Sequence, residues 1–150
     1  MADGIRIPPL DPATFSSRQK DLVGDWSGMN FCRVMVRHPD VYQVFLPYLS
    51  QLVTRTTLPP RDREILVLRS LALAGDHYET RHHVDIAHKA GLTDTDIKAV
   101  QTDGEGLSDF ECLLMYAVDE LMREQKISDQ TWHGLAQRYD EIQLMEVVFL

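Results

Sequence analysis

The sequence predicts an all-α protein, a single-domain bundle of about eight helices. Apolar residues recur at three- and four-residue spacing along most of the chain, as they do on one face of a helix. No segment alternates apolar and polar residues for long enough to indicate a β-strand. Proline, glycine and helix-capping residues separate the helical segments and mark where one helix should end and the next begin.

The N-terminal third of the chain predicts an arm followed by helical segments. We expect residues 1–29 to form an extended, Pro-punctuated arm and a first helix from Pro12 to about Trp26. A short helix should stop before Pro39, where a longer one begins, because proline is tolerated in the first turn of a helix. Pro47 either kinks this longer helix or restarts it, because proline cannot donate a backbone hydrogen bond.

The rest of the chain carries clear start and stop signals. The predicted helix starts lie at a proline pair or at a Ser or Thr cap: Pro59–Pro60, Thr93, Ser108 and Ser128. Gly75 and Gly91 each follow a helical segment, where a left-handed C-terminal cap is common. We expect one last helix from Ser128 to the end of the sequence. Its apolar end, "EVVFL", would be an exposed patch unless a second subunit covers it.

Composition and charge argue against several classes of partner. The net charge of -8 disfavours nucleic acids and anionic membranes, because both attract clustered Lys and Arg. The start of the sequence lacks the apolar core of a signal peptide, and no apolar run approaches the ~18 residues of a membrane span. We therefore expect a cytoplasmic protein that binds neither nucleic acid nor a membrane.

The two cysteines give no sign of thiol chemistry. Cys32 and Cys112 lie far apart in the sequence, each within an apolar helical pattern, and no CxxC motif occurs. We interpret both as buried free thiols.

One stretch combines histidines and acids on an amphipathic helix. Four of the six histidines lie between Gly75 and Gly91. At 3.6 residues per turn, Glu79 and His83 share a face with the apolar residues Ile86, Ala87 and Ala90. In the preceding helix, Glu64 shares a face with Leu68 and Leu71 and can also turn inward. Ionisable groups on an apolar face must be paired or perturbed, and such groups are enriched at functional sites.

Two other interpretations of these residues stay open at this point. A Glu–His pair one turn apart is also a common helix-stabilising contact worth ~0.2–0.5 kcal/mol. Alternatively, Asp76, Glu79 and His83, with Glu64 or His82 added, could supply oxygen and imidazole ligands to a metal ion, although no HExxH motif occurs.

The same region carries a recognisable combination of motifs. It reads "LPPRDREILVLRSLALAGDHYETRHHVDIAHKAGLTDTDIKAV", with L-P-x-R-x-R-E-x-x-x-L-R followed by Y-E-x-x-x-H-x-x-x-A-x-x-A-G-L. This combination resembles the carboxymuconolactone decarboxylase family, which also contains the alkylhydroperoxidase D-like proteins. The resemblance covers roughly residues 30–150 and implies one all-helical domain over that range. It also implies a homo-oligomer, a trimer, dimer or hexamer, and a further apolar stretch after "EVVFL".

The resemblance separates two branches of the family. Peroxidase members use a Glu, two cysteines and a His, and the matching positions here are Glu64, Asp76, Glu79 and His83. Acids stand where both cysteines would be, so thiol-dependent peroxidase activity is not expected. The Tyr78–Glu79 dipeptide resembles the decarboxylase-type branch, which needs no cofactor.

The resulting hypothesis is a cofactor-independent lyase or isomerase that acts on a small carboxylated lactone or an aromatic ring-cleavage product. We assign proton donation to His83, orientation of His83 to Glu79, and a second acid/base role to Glu64. Substrate binding is assigned to Arg63, Arg69, Tyr78, Asp76 and His82. The alternatives are a non-catalytic oligomeric scaffold of the same fold and a metal-dependent enzyme at Asp76, Glu79 and His83.

Overall fold

The computed structural model describes residues 4–150, which form nine α-helices and no strand. The all-α prediction is thereby confirmed. Two compact units make up the chain and divide between Thr54 and Arg55. None of the helices described in residues 4–150 is both long and apolar enough to cross a membrane.

The first unit contains three α-helices and two 3-10 turns. They are α1 (Ser17–Val23), α2 (Asn30–Met35) and α3 (Pro39–Thr54), with turns at Pro12–Thr14 and Gly24–Gly28. The predicted start of the first helix at Pro12 is wrong. Ser16 and Gln19 form a capping box, which places the start of α1 after Ser16. Pro47 lies inside α3, so the helix does not restart there.

A small apolar core holds the first unit together. Its buried members come from all three helices and the segment before them: Phe15, Val23, Cys32, Val36 and Tyr42. The buried position of Cys32 agrees with its interpretation as a free thiol.

The second unit contains the remaining six α-helices. They are α4 (Pro60–Ala74), α5 (His77–Lys89), α6 (Asp94–Gln101), α7 (Asp109–Glu124), α8 (Asp129–Leu135) and α9 (Glu141–Phe149). Helix α4 lies at the centre and packs against α5, α6 and α7. Its buried apolar residues Ile65, Leu66 and Leu68 form the middle of a core to which every helix of this unit contributes.

Two ion pairs show that α4 and α7 run parallel. Near the start of both helices, Arg61 Nε lies 2.6 Å from Glu111 Oε1. Further along both helices, Arg69 Nε lies 2.7 Å from Asp119 Oδ1. Both pairs join residues that are 50 positions apart in the sequence. The two ion pairs fix the orientation of α4 relative to α7. They also fix the side of α4 from which Glu64 projects.

The caps that position the other helices agree with the sequence signals, with one exception. Thr93, Ser108 and Ser128 each accept a backbone N–H of their helix, and Gly75 ends α4 with φ of 68°. The prediction of a single helix from Ser128 to the chain end is wrong. A capping box between Asp140 and Gln143 begins α9 separately from α8.

Candidate functional site

The hairpin of α4 and α5 brings two of the predicted site residues into direct contact. Gly75 takes a left-handed conformation that ends α4 and lets the chain return along it as α5. As a result Glu64 Oε2 lies 2.8 Å from His83 Nδ1. The Glu64 side chain is 1% exposed, whereas that of His83 is 17% exposed. The pair therefore has a buried acid and an imidazole near the surface.

The second oxygen of Glu64 is also occupied. Arg63 Nε donates a hydrogen bond of 2.8 Å to Oε1, and the Arg63 side chain is 17% exposed. One carboxylate thus accepts from a guanidinium and from an imidazole on its two different oxygens. A buried carboxylate requires such partners, because an unpaired buried charge is strongly disfavoured.

This geometry defines which nitrogen of His83 can do chemistry. An ionised Glu64 can only accept, so Nδ1 carries a hydrogen and donates it. The other ring nitrogen, Nε2, has no hydrogen-bond partner among the described residues. His83 therefore offers Nε2 to a bound molecule, with the ring orientation held from behind by Glu64.

Asp76 and Glu79, the acids at the two cysteine positions of the peroxidase motif, differ in their surroundings. Asp76 Oδ1 accepts the backbone N–H groups of Tyr78 and Glu79, both at 3.0 Å, and so caps the start of α5. The Glu79 carboxylate is half-buried and makes no hydrogen bond or ion pair within residues 4–150. Asp76 therefore stabilises the start of α5. The Glu79 carboxylate, one turn before His83, can still bind another molecule.

Tyr78 and His82 form an aromatic pair on the adjacent face of α5. Their ring centroids lie 4.9 Å apart and the rings meet edge to face at 75°. Both residues are exposed, and Tyr78 has 37% of its surface accessible. They lie beside the Glu79–His83 face, where a ligand of His83 could also reach them.

Arg69, by contrast, is buried and bound to other residues of the protein. It is 8% exposed and binds both oxygens of Asp119, at 2.7 and 2.9 Å. Its Nη1 also donates to the carbonyls of Val100 and Thr102 at the end of α6. These contacts tie α4 to α6 and α7. Of the two arginines predicted to bind substrate, only Arg63 lies at the Glu64–His83 pair.

The predicted directions of the α5 side chains agree with the structure. Glu79, His83 and Ile86 are half-buried and Ala87 is fully buried. Arg81, His88 and Lys89 are exposed, and His88 instead contacts Asp94 at 2.9 Å. The histidine-rich stretch is therefore not one cluster, and His83 is its member that contacts a buried acid.

The three-residue metal arrangement is not assembled here. Within residues 4–150 no group of three or more His, Cys, Asp or Glu side chains is close enough to hold a metal ion. Asp76 Oδ1 accepts the backbone N–H groups of Tyr78 and Glu79.

The fold and this pair of residues define a class of protein, an all-α protein with the alkylhydroperoxidase D-like arrangement of helices. The model of the carboxymuconolactone decarboxylase family matches residues 39–111, just under half of the chain, and over this segment the chain is similar to that family. The matched segment includes α4, α5 and the Glu64–His83 pair. No curated protein and no solved structure gives a significant match to the chain.

The cysteines do not form the dithiol of the peroxidase members. Cys32 is buried in the first unit, and Cys112 is half-buried in α7 of the second. Burial, together with the neighbouring Asp109 and Glu111 carboxylates, raises the pKa of the Cys112 thiol, which makes it a poor nucleophile.

Proposed function

We propose that the protein is a cofactor-independent enzyme of the lyase or isomerase type. Its substrate would be a small carboxylated lactone or a related product of aromatic ring cleavage. The observation that carries this proposal is the Glu64–His83 contact of 2.8 Å, which leaves Nε2 of a half-buried imidazole open to a ligand. Such an oriented imidazole is the usual device for moving a proton between a substrate and an enzyme.

The residues suit the removal of CO₂ from a lactone whose carboxylate is conjugated to a carbonyl. The C–C bond to the carboxylate breaks, and its electron pair moves into the carbonyl to give a dienolate. A proton from His83 Nε2 then adds to carbon, and solvent restores the proton on His83. Glu64 orients the ring and stabilises the imidazolium form, as a buried carboxylate does for a catalytic histidine.

The remaining assignments follow from position. Glu79 lies one turn from His83 with an unengaged carboxylate, so we assign it the second acid/base role. We assign Tyr78 and the neighbouring His82 to substrate binding, because their paired rings lie beside the Glu79–His83 face. Glu64 thus takes the orienting role that the sequence suggested for Glu79, and the two acids exchange functions.

The direct test is turnover of 4-carboxymuconolactone, followed by loss of the substrate. Removal of a general acid/base typically lowers the rate about 10²–10⁴-fold. The turnover rates of His83→Ala and Glu64→Gln should therefore fall below that of the wild type by this factor. His88→Ala is the matched control, because His88 lies on the same helix, is exposed and contacts only Asp94 in the described structure. Equal activity in His83→Ala and His88→Ala would contradict the site.

A second candidate function is a non-catalytic oligomeric scaffold, and α9 is the feature that favours it. Four apolar side chains of α9 are exposed, namely Ile142 (61%), Met145 (52%), Val148 (45%) and Phe149 (54%). Beyond the exposed Glu141 at the start of α9, this stripe is apolar, so a second copy could bury it by packing against it. The same contact would produce the homo-oligomer expected for the enzyme. Lactone turnover that depends on His83 would exclude the scaffold as the main function.

A further inference from the structure

Glu79 differs from the other acids of the site in that its carboxylate has no hydrogen-bond or ion-pair partner within residues 4–150. The positions three and four residues away along the chain carry neither Lys nor Arg: they are Gly75, Asp76, His82 and His83. A half-buried carboxylate can only accept hydrogen bonds, and it is costly to leave without a donor. A bound molecule that brings a donor to Glu79 is therefore favoured.

The spacing between Glu79 and His83 determines where this donor must lie. Side chains four residues apart on a helix project from the same face, with their Cβ atoms about 5–6 Å apart. Glu64 holds the His83 ring at Nδ1, so the opposite nitrogen, Nε2, faces the bound molecule. A molecule that contacts both side chains must carry its donor about 5–6 Å from the group at Nε2, which is roughly the distance across a substituted ring.

We propose that Glu79 determines substrate specificity by accepting a hydrogen bond from a hydroxyl group that lies across the substrate ring from the group at His83. This inference rests on the proposed function of the Glu64–His83 pair and narrows its substrate class. Among carboxylated lactones and related ring compounds, those with a ring hydroxyl are preferred. The same hydrogen bond brings a substrate proton within reach of Glu79, as its assigned acid/base role requires.

A hydroxyl is the group that this position selects, because an ether or a bare ring carbon at the same place has no hydrogen to donate. Either of these would displace water from the Glu79 carboxylate and leave it without a donor. The selection depends on contact with the acceptor oxygens, and a carboxylate elsewhere on α5 cannot substitute for it.

The test compares the affinities of the full-length protein for 4-hydroxybenzoate and benzoate, measured by isothermal titration calorimetry. These stable ring carboxylates differ only in a hydroxyl that lies across the ring from the carboxylate. A hydrogen bond to a carboxylate acceptor changes affinity by at least about tenfold, so the wild type should bind 4-hydroxybenzoate about tenfold more tightly than benzoate. The ether 4-methoxybenzoate should bind no more tightly than benzoate.

Glu79→Met removes the acceptor oxygens, keeps the length of the side chain and should abolish the preference for 4-hydroxybenzoate. Asp85→Ala is the matched control, because Asp85 is an exposed carboxylate on α5 that lies off the Glu79–His83 face. It should keep the preference of the wild type.

Three results would overturn the proposal: no preference in the wild type, an undiminished preference in folded Glu79→Met, or an equal loss of preference in Asp85→Ala. The last result would trace the effect to the charge of α5 instead of contact with Glu79. Because the measurement is of binding, its outcome is separate from turnover. A preference that depends on Glu79, without turnover of 4-carboxymuconolactone, would refute the proposed reaction and support the role of Glu79 in binding.

Discussion

Single residues show where a pattern in the sequence is informative and where it is not. Helical spacing was enough to predict that Glu64 turns inward, although it stands among Arg61, Asp62 and Arg63 in a run that looks like a solvated surface. The sequence offers both Arg63 and Arg69 as salt-bridge partners of Glu64, and helical spacing does not decide between them. Adjacent residues on a helix point in different directions, and only the long Arg63 side chain brings its Nε back to the carboxylate.

A buried hydroxyl in the first unit gives a prediction at the same scale. Tyr42 is fully buried, and its Oη has no hydrogen-bond partner within residues 4–150. Burial raises the pKa of this phenol, and the adjacent Cys32 thiol, which is at most a weak acceptor outside hydrogen-bond geometry, adds to the rise. Because an unsatisfied buried hydroxyl costs about 1–3 kcal/mol, Tyr42→Phe should increase the free energy of unfolding by about 1 kcal/mol in urea denaturation.

The same substitution at Tyr139 serves as the control. The Tyr139 hydroxyl is buried but donates to Asp62 Oδ2 at 2.6 Å. Tyr139→Phe should therefore lower the free energy of unfolding, since it removes a donor from a buried carboxylate. A loss of stability in both variants would show that the Tyr42 hydroxyl is satisfied in solution.

At the scale of helices, signals between residues three positions apart predict the caps correctly. The length of an apolar run, in contrast, is a poor predictor of where a helix ends. Thr93 and Ser108 were identified because their partners lie three residues away in the sequence. The apolar pattern after Ser128 continues across Asp140 and therefore does not predict the boundary between α8 and α9. The capping box of Asp140 with Gln143 satisfies backbone N–H groups that a new helix start leaves without a partner, so α9 can begin after Asp140.

The start of α5 offers a prediction about one helix. Asp76 Oδ1 accepts two backbone N–H groups, so Asp76→Ala should lower the free energy of unfolding by about 1 kcal/mol. Asp76→Ser keeps a capping oxygen and should cost only a few tenths of that amount. Chemical denaturation of both variants makes the comparison. Equal losses would mean that the carboxylate does more than cap the helix.

At the scale of the whole molecule, the contacts that fix the arrangement of helices join distant parts of the sequence. Arg69 and Asp119 are 50 residues apart, and nothing in either local pattern marks the other as its partner. Arg69 was therefore interpreted from its charge alone, as a group for a substrate carboxylate. The all-α class and the inward face of α5 follow from periodicity, but the choice among several arginines and acids requires the packed structure.

Acid stability is a property of the whole molecule that these contacts predict. Burial acts to raise the pKa of Glu146, but hydrogen bonds from Thr57 and Thr56 outweigh it and lower the pKa. Burial likewise opposes the lowering of the Glu111 pKa, which hydrogen bonds from Ser108 and Arg61 produce. A pKa that is lower in the folded state stabilises the protein above the unfolded value and loses that contribution as pH falls through the folded value.

We therefore expect the free energy of unfolding to fall as the pH is lowered below about 4.5, the ordinary pKa of a glutamate. Glu146→Gln should make the protein less stable at neutral pH and flatten this fall. Thr57→Val removes one of the donors to Glu146. Its stability at neutral pH and its dependence on pH should therefore lie between those of Glu146→Gln and the wild type. Denaturation curves at a series of pH values give the slopes, and an unchanged slope in Glu146→Gln would contradict the assignment.

The two parallel ion pairs between α4 and α7 also restrict how the length of this chain can change. Arg61 and Arg69 reach partners at one common offset, and Glu64 lies between them. An added or deleted residue between Arg61 and Arg69 would turn one end of α4 by about 100° relative to the other. One ion pair would then lose its register with α7, or Glu64 would rotate away from His83. Insertions and deletions should therefore be tolerated in the connecting loops of this protein, while the segment from Arg61 to Arg69 must keep its residue count.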